Sequence, residues 1–290
     1  MGDSPSTSLD HARDTRTHDP EAVARYGSVL LQKYWKKLSQ VELWLVHEQV
    51  AIAALELHDE KLATALVRNV HTRFPKGSRA SRLAGMLGEA SGRLSQAESL
   101  YSRELDVAPD SQPILKRKVA MLKEGGDTLG ALGLLRSYLA TNQMDWQAWE
   151  ESAELYLQLQ LYQQAAFCLE EVLLHQPTSM GTHLVLADTL CTLGGAANLA
   201  AARQHYSAVV ELSGGNNVRA LYGLTYTAAK LGAEKKGAKL AGGPALAAAA
   251  AETLTDIYNE SAPPAQQKML SAMLKAQGVL GGAAASPSKN

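Results

Sequence analysis

The sequence predicts an all-α fold, a solenoid of stacked helix pairs, on three observations that share one step. Small residues recur at Ala63, Ala97, Ala131 and Ala165. A second column of small or modest residues runs through Ala51, Gly85, Val119, Ala153 and Ala187. Pro75, Pro109 and Pro177 form a third, with Gln143 standing where a proline is due. Each column advances by 34 residues, the length of one tetratricopeptide helix pair. The expected architecture is a tetratricopeptide-repeat helical solenoid of about five helix pairs, with capping helices at its N- and C-terminal ends. Because each pair buries its apolar face on its neighbours, function is sought on surfaces and not in a central pocket.

Taken in order, residues 1–20 are polar and read as a disordered leader. From Glu21 to Leu38, Val23, Tyr26, Leu30, Tyr34 and Leu38 recur at threes and fours, and Val29, Leu31 and Trp35 broaden the stripe, which predicts one helix with these residues facing the core. The first full repeat follows, with Trp44, Val46, Val50, Ala51 and Ala54 on its first helix, a break at His58-Asp59-Glu60, and a second helix from Lys61 to Phe74. Further repeats span Ser78 to Ser111, Gln112 to Asp145 and Trp146 to Ser179. In the last of these Trp149, Ala153 and Tyr156 share one helix face, Ala165, Leu169 and Val172 share another, and Pro177 ends the repeat because it cannot continue a helix.

The fifth repeat keeps Ala187 in phase, but Ala202, Tyr206 and Val209 arrive three residues late. The extra residues are assigned to the connection Gly194 to Asn198, since lengthening a loop costs little. Ala220, Leu221, Leu224 and Ala228 begin a sixth, incomplete unit, so the solenoid is expected over 21–231. Residues 232–244, rich in Gly, Ala and Lys, read as a flexible linker. Pro244 suits the first turn of a helix, and 245–277 reads as two C-terminal capping helices before a disordered tail at 278–290.

Composition narrows the function classes. Lys and Arg total 28 against 29 Asp and Glu, so there is no basic excess for wrapping nucleic acid. Cys168 and Cys191 form no C-x-x-C and read as reduced thiols packed in helices. No stretch reaches the roughly 20 apolar residues of a membrane span. The eight histidines never stand at the i, i+4 spacing of a helical zinc site. Gly232 to Lys239 has the glycine spacing of a phosphate loop but lacks its Lys-Ser/Thr, and no G-x-S-x-G elbow occurs. No catalytic, metal or cofactor site is expected.

In repeats of this kind the first helix of each pair lines the concave side. The predicted groove rows are Glu48, Ile52 and Leu55; Arg79, Arg82, Met86 and Glu89; Lys116, Ala120 and Lys123; and Glu150, Glu154 and Leu157. Arg79, Arg82, Lys116 and Lys123 make the middle basic, with Glu48 at one end and Glu150 and Glu154 at the other. Convergent Arg and Lys suit an acidic or C-terminal segment of a partner; solvated charges on exposed helix faces would give the same pattern.

Five stretches go further than the generic repeat: EQVAIAAL (Glu48 to Leu55), RLAGM (Arg82 to Met86), AWEESAELY (Ala148 to Tyr156), AAFCLEE (Ala165 to Glu171) and RALYGL (Arg219 to Leu224). In order and spacing, over roughly Tyr26 to Leu231, the chain resembles subunit 2 of the endoplasmic reticulum membrane protein complex. It departs from that family in its leader and in a shorter, Ala-rich region after Gly232.

The resemblance implies a cytosolic, non-enzymatic scaffold, peripheral on the endoplasmic reticulum membrane. It further implies a complex that inserts transmembrane segments, tail anchors included. The resemblance also implies that membrane subunits including subunits 3 and 5 and a soluble subunit 8 or 9 are its partners, with the tail of subunit 5 in the groove, and that membrane association comes through partners only, without nucleic acid. The alternative is a cytosolic adaptor gripping the C-terminus of a heat-shock protein. Such a clamp combines Lys and Arg with asparagines, and Glu48 stands where its first Lys would help.

Overall fold

The computed structural model describes residues 19–233 and 243–279. Among these residues every regular element is a helix. The leader expected over 1–20 falls outside the described residues up to position 18, the linker over 232–244 does so for 234–242, and the tail over 278–290 does so from 280 on.

Helix α1 (Pro20–Val29) starts on a proline behind an Asp19 cap, whose carboxylate accepts the amide of Ala22 at 2.9 Å. It does not continue regularly to Leu38. Leu30–Tyr34 widens into a π turn, Trp35–Lys37 tightens into a 3₁₀ turn, and Leu38 is extended. Leu30 is buried in one cluster with Val46 and Val50, but Tyr34 and Trp35 are 36% and 49% exposed. Widening a turn by a residue rotates everything after it, so a stripe drawn at a constant 3.6 residues per turn places these two rings on the wrong face.

The helix pairs follow: α2 (Gln40–Glu56) with α3 (Glu60–Arg73), α4 (Ser78–Ala90) with α5 (Leu94–Val107), α6 (Gln112–Glu124) then α7 (Thr128–Thr141), α8 (Trp146–Gln158) with α9 (Tyr162–His175), and α10 (Met180–Leu193) with α11 (Ala196–Leu212). After them come α12 (Val218–Ala233), α13 (Gly243–Ser261) and α14 (Pro264–Ala276). Local chemistry sets the starts. Ser39 and Glu42 form a reciprocal capping box at α2, and Asp59 and Asp145 cap α3 and α8. The extra residues of the fifth repeat do not lengthen a loop as the sequence suggested. Only Gly194 and Gly195 separate α10 from α11, and the surplus forms the first turn of a 17-residue helix.

The turn between the two helices of a pair has its own column. His58, Gly92, Gly126, Gln160 and Gly194, again 34 apart, all have φ between 57° and 78°. Glycine occupies this left-handed region without the Cβ clash that His58 and Gln160 must bear. Gln160→Gly should therefore stabilise the protein by about 0.5–1 kcal/mol in urea unfolding, while Gly126→Ala destabilises it by a similar amount.

The chain divides into two compact units, Met1–Leu134 and Leu135–Asn290, the boundary falling within α7. In the first, Val46 and Val50 of α2 meet Leu66, Val67 and Val70 of α3 and Leu83 of α4, while Ala97, Tyr101 and Ile114 form a smaller cluster. In the second, one core runs from Ala153 through Leu169, Leu186, Tyr206 and Leu224 to Leu254 and Leu274. Ala63, Ala97, Ala131 and Ala165 are fully buried, as close helix approach requires. Leu169→Ala should cost about 2–5 kcal/mol through transfer and cavity terms, and Ala165→Leu about 1–3 kcal/mol through overpacking, both read from denaturant midpoints. Cys168 is buried, which with the nearby Glu171 pushes its thiol up to about 11; both cysteines are free.

Candidate partner-binding groove

Successive first helices are tied together by acid–arginine pairs. In the first unit Glu48 of α2 accepts from Arg82 of α4 at 2.6 Å and lies 3.5 Å from Arg79. Glu89 of α4 receives Arg117 of α6, whose Nε is 3.3 Å from Oε1, and also the hydroxyl of Tyr101 from α5. The second unit repeats the arrangement: Asp188 of α10 accepts from Arg219 of α12 and, at 2.5 Å, from the Tyr206 hydroxyl of α11. Burial, with the neighbouring carboxylate, pushes both tyrosine hydroxyls up, so each stays a neutral donor.

These pairs change the electrostatics expected of the groove. Arg79 and Arg82 share the single carboxylate of Glu48, so three of the candidate residues converge on one cluster with one net positive charge. Lys116 and Lys123 stand half-buried on α6, and neither is an unengaged cation. Glu150 and Glu154 belong to the second unit, on α8, half-buried and exposed respectively. Glu89 stands in a predicted groove row, Arg117 lies outside those rows, and the structure pairs the two. The signal available was a coincidence: in one repeat glycine stands at 85, where Ala51, Val119 and Ala153 carry a Cβ, and tyrosine stands at 101, where Val67, Leu135 and Leu169 are aliphatic.

Two adjoining clefts open beside the Glu48 cluster. One, of 480 Å³, is mainly apolar and lies between Val41, Trp44 and Leu45 of α2, Phe74, and Arg79 and Ala80 of α4. Phe74 meets the Trp44 ring edge-on at 5.4 Å, and the Trp44 Nε1 is buried with no acceptor. The other, of 390 Å³, is lined by Gln49, Ile52, Arg82, Pro113 and Ile114. Leu45, Glu48, Ser78 and Arg79 border both. An apolar compartment beside a guanidinium cluster can take a bulky apolar side chain next to a carboxylate.

Stacked helix pairs repeating every 34 residues, with clefts between first helices, define a tetratricopeptide-repeat protein. Two solved structures share the fold. The C-terminal part of a TPR repeat-containing protein from Cytophaga hutchinsonii is 14% identical with a TM-score of 0.56, over 87% of this chain and 93% of that one. Pseudomonas aeruginosa pilF is 19% identical with a TM-score of 0.51, over 80% of this chain and 98% of that one.

The family model described as the EMC2 TPR-like repeat domain matches residues 63–197. ER membrane protein complex subunit 2 of Xenopus tropicalis is 33% identical over 224 residues, covering 77% of this chain and 75% of the relative. Its namesake in Dictyostelium discoideum is 30% identical over 202 residues, covering 69% of this chain and 63% of the relative. The chain belongs to the ER membrane protein complex subunit 2 family.

Proposed function

We propose that this protein is a non-catalytic scaffold on the cytosolic face of the endoplasmic reticulum membrane, holding the cytosolic parts of the membrane subunits of its complex and so supporting insertion of transmembrane segments, tail anchors among them. Family membership over three quarters of the chain carries the proposal. The fold supports it: the chain spends its length on stacked surfaces, and among the described residues no helix is long and apolar enough to cross a membrane. The paired clefts around Glu48, Arg79 and Arg82 are the place for a partner segment, with Lys116 and Lys123 further along the first helices. Membrane subunits including 3 and 5, and a soluble subunit 8 or 9, are the proposed partners.

Native purification of the tagged chain from detergent-solubilised cells, with mass spectrometry of what accompanies it, tests this proposal. A stoichiometric multi-subunit membrane complex supports it; heat-shock proteins alone would overturn it in favour of the chaperone adaptor. The groove needs a variant that keeps the fold. Reversing Arg82 alone sets a second carboxylate against Glu48, so loss of binding would be ambiguous. The exchange Glu48→Arg/Arg82→Glu keeps an ion pair but inverts its polarity beside Arg79. It is expected to leave helicity intact and weaken complex recovery about tenfold, as expected when like charges meet at an interface. Full recovery would remove the groove from the proposal.

A further inference from the structure

The turn after α1 carries two large rings that the helical stripe would bury and the structure turns outward. Tyr34 and Trp35 are exposed between Lys33, Lys36 and Lys37. The Lys36 ammonium lies 5.5 Å from the Trp35 ring centre, and that of Lys37 lies 5.3 Å from Tyr34. From Ala22 to Val41 there is no Asp or Glu, while Arg25 adds a fourth cation. None of the four makes an ion pair among the described residues, in contrast to the arginines of the groove. Val41, three residues past Leu38, is exposed as well. In a chain with net charge −1, this concentration of basic and aromatic groups in one short segment is local.

We infer that residues 33–37 form a ledge that rests directly on an anionic lipid surface. Tyrosine and tryptophan favour the headgroup level, where the ring is in apolar surroundings and its polar edge stays wet. Lysine stems lie along apolar surface while their ammonium groups reach anionic headgroups. The π and 3₁₀ turns supply the presentation: a regular helix would direct both rings into the core around Leu30. The segment lies outside the linings of both clefts, and exposed rings edged by lysines match a diffuse charged plane. The choice of a lipid surface rests on the proposed seat in a membrane complex. A single patch of this size gives weak, salt-sensitive contact, which orients a subunit already held by its partners but does not anchor it.

The test uses the full chain and pure lipids. Co-sedimentation is measured with vesicles of phosphatidylcholine alone and of phosphatidylcholine with phosphatidylserine, for the wild type, Lys33→Glu/Lys36→Glu/Lys37→Glu and Tyr34→Ser/Trp35→Ser. Circular dichroism and the thermal midpoint check the fold of each variant, which exposed positions should leave unchanged. The wild type should bind only the phosphatidylserine vesicles and release with salt. The lysine variant should lose about tenfold or more, given the attraction of each lysine to an anionic surface, and the aromatic variant several-fold. Absence of wild-type binding, equal binding to both vesicles, or wild-type behaviour by either variant would overturn the inference. So would displacement from the vesicles by single-stranded RNA at lower concentration than by anionic lipid, which would mark a nucleic-acid surface. Because these vesicles hold no partner subunits, a negative result leaves the scaffold proposal standing, and failure of the native purification leaves this measurement interpretable.

Discussion

Replacing Gly85 by alanine is expected to destabilise the first unit by about 4 kcal/mol, the overpacking of a buried site combined with loss of its hydrogen-bond network. A Cβ at this position would fall inside the ring of Tyr101, which is fully buried and cannot swing aside as a flexible chain end could. Displacing the ring also withdraws its hydroxyl from Glu89, and with it the support of Arg117. One methyl group would thus disturb α4, α5 and α6 together. Urea unfolding would show a fall in midpoint with little change in slope. The fourth repeat supplies the internal control, since its corresponding residues are Ala153 and Leu169, members of one core cluster. Gly85→Ala/Tyr101→Leu should recover about half of the lost stability, a coupling that independent sites would not show. The second unit contains a similar lock, where a Cβ on Gly223 would enter the Tyr206 ring.

That pair shows where the sequence is legible and where it is not. Columns of alanine report helix–helix approach directly, because the alanines at 63, 97, 131 and 165 meet the same steric demand once per repeat. Departures from a column carry information only when two occur together. A glycine in place of alanine looks like a weaker helix former, and a tyrosine in place of leucine looks like a larger core residue; only their joint occurrence in one repeat marks a ring seated against a backbone.

The groove charges were legible as positions but not as partners. Glu48 and Arg82 are 34 residues apart, and row-by-row scoring treats the first as an acidic end and the second as part of a basic centre, although one repeat step brings them together. Tyr34 and Trp35 went astray for a different reason: periodicity assumes a constant helical turn, and nothing in the run LLQKYWKK announces where that turn widens. His58 and Gln160 were hidden because only the glycines at 92, 126 and 194 carry a residue type that signals left-handed backbone.

The acid–arginine pairs should differ in strength, and exposure decides the order. The side chains of Glu89 and Arg117 are 10% and 35% exposed, against 34% and 65% for Asp188 and Arg219. Water screens the second pair and can solvate either partner left alone, whereas Glu89 is the shared acceptor of a guanidinium and a fully buried tyrosine hydroxyl. Glu89→Ala should therefore cost about 3 kcal/mol, most of it from stranding Arg117 and Tyr101, while Asp188→Ala should cost about half as much and mainly through Tyr206. Glu89→Ala/Arg117→Met separates stranding from attraction. Removing both charges and filling the space with an apolar chain should restore the share due to the stranded guanidinium, about half of the loss, while the Tyr101 hydroxyl stays without its acceptor. If the double variant were as unstable as Glu89→Ala alone, the stranded guanidinium would contribute nothing, and the cost would lie with the Tyr101 hydroxyl and the lost attraction. Equal losses for Glu89→Ala and Asp188→Ala would instead show that the tyrosine hydroxyl, common to both sites, sets the cost and that the arginines contribute little.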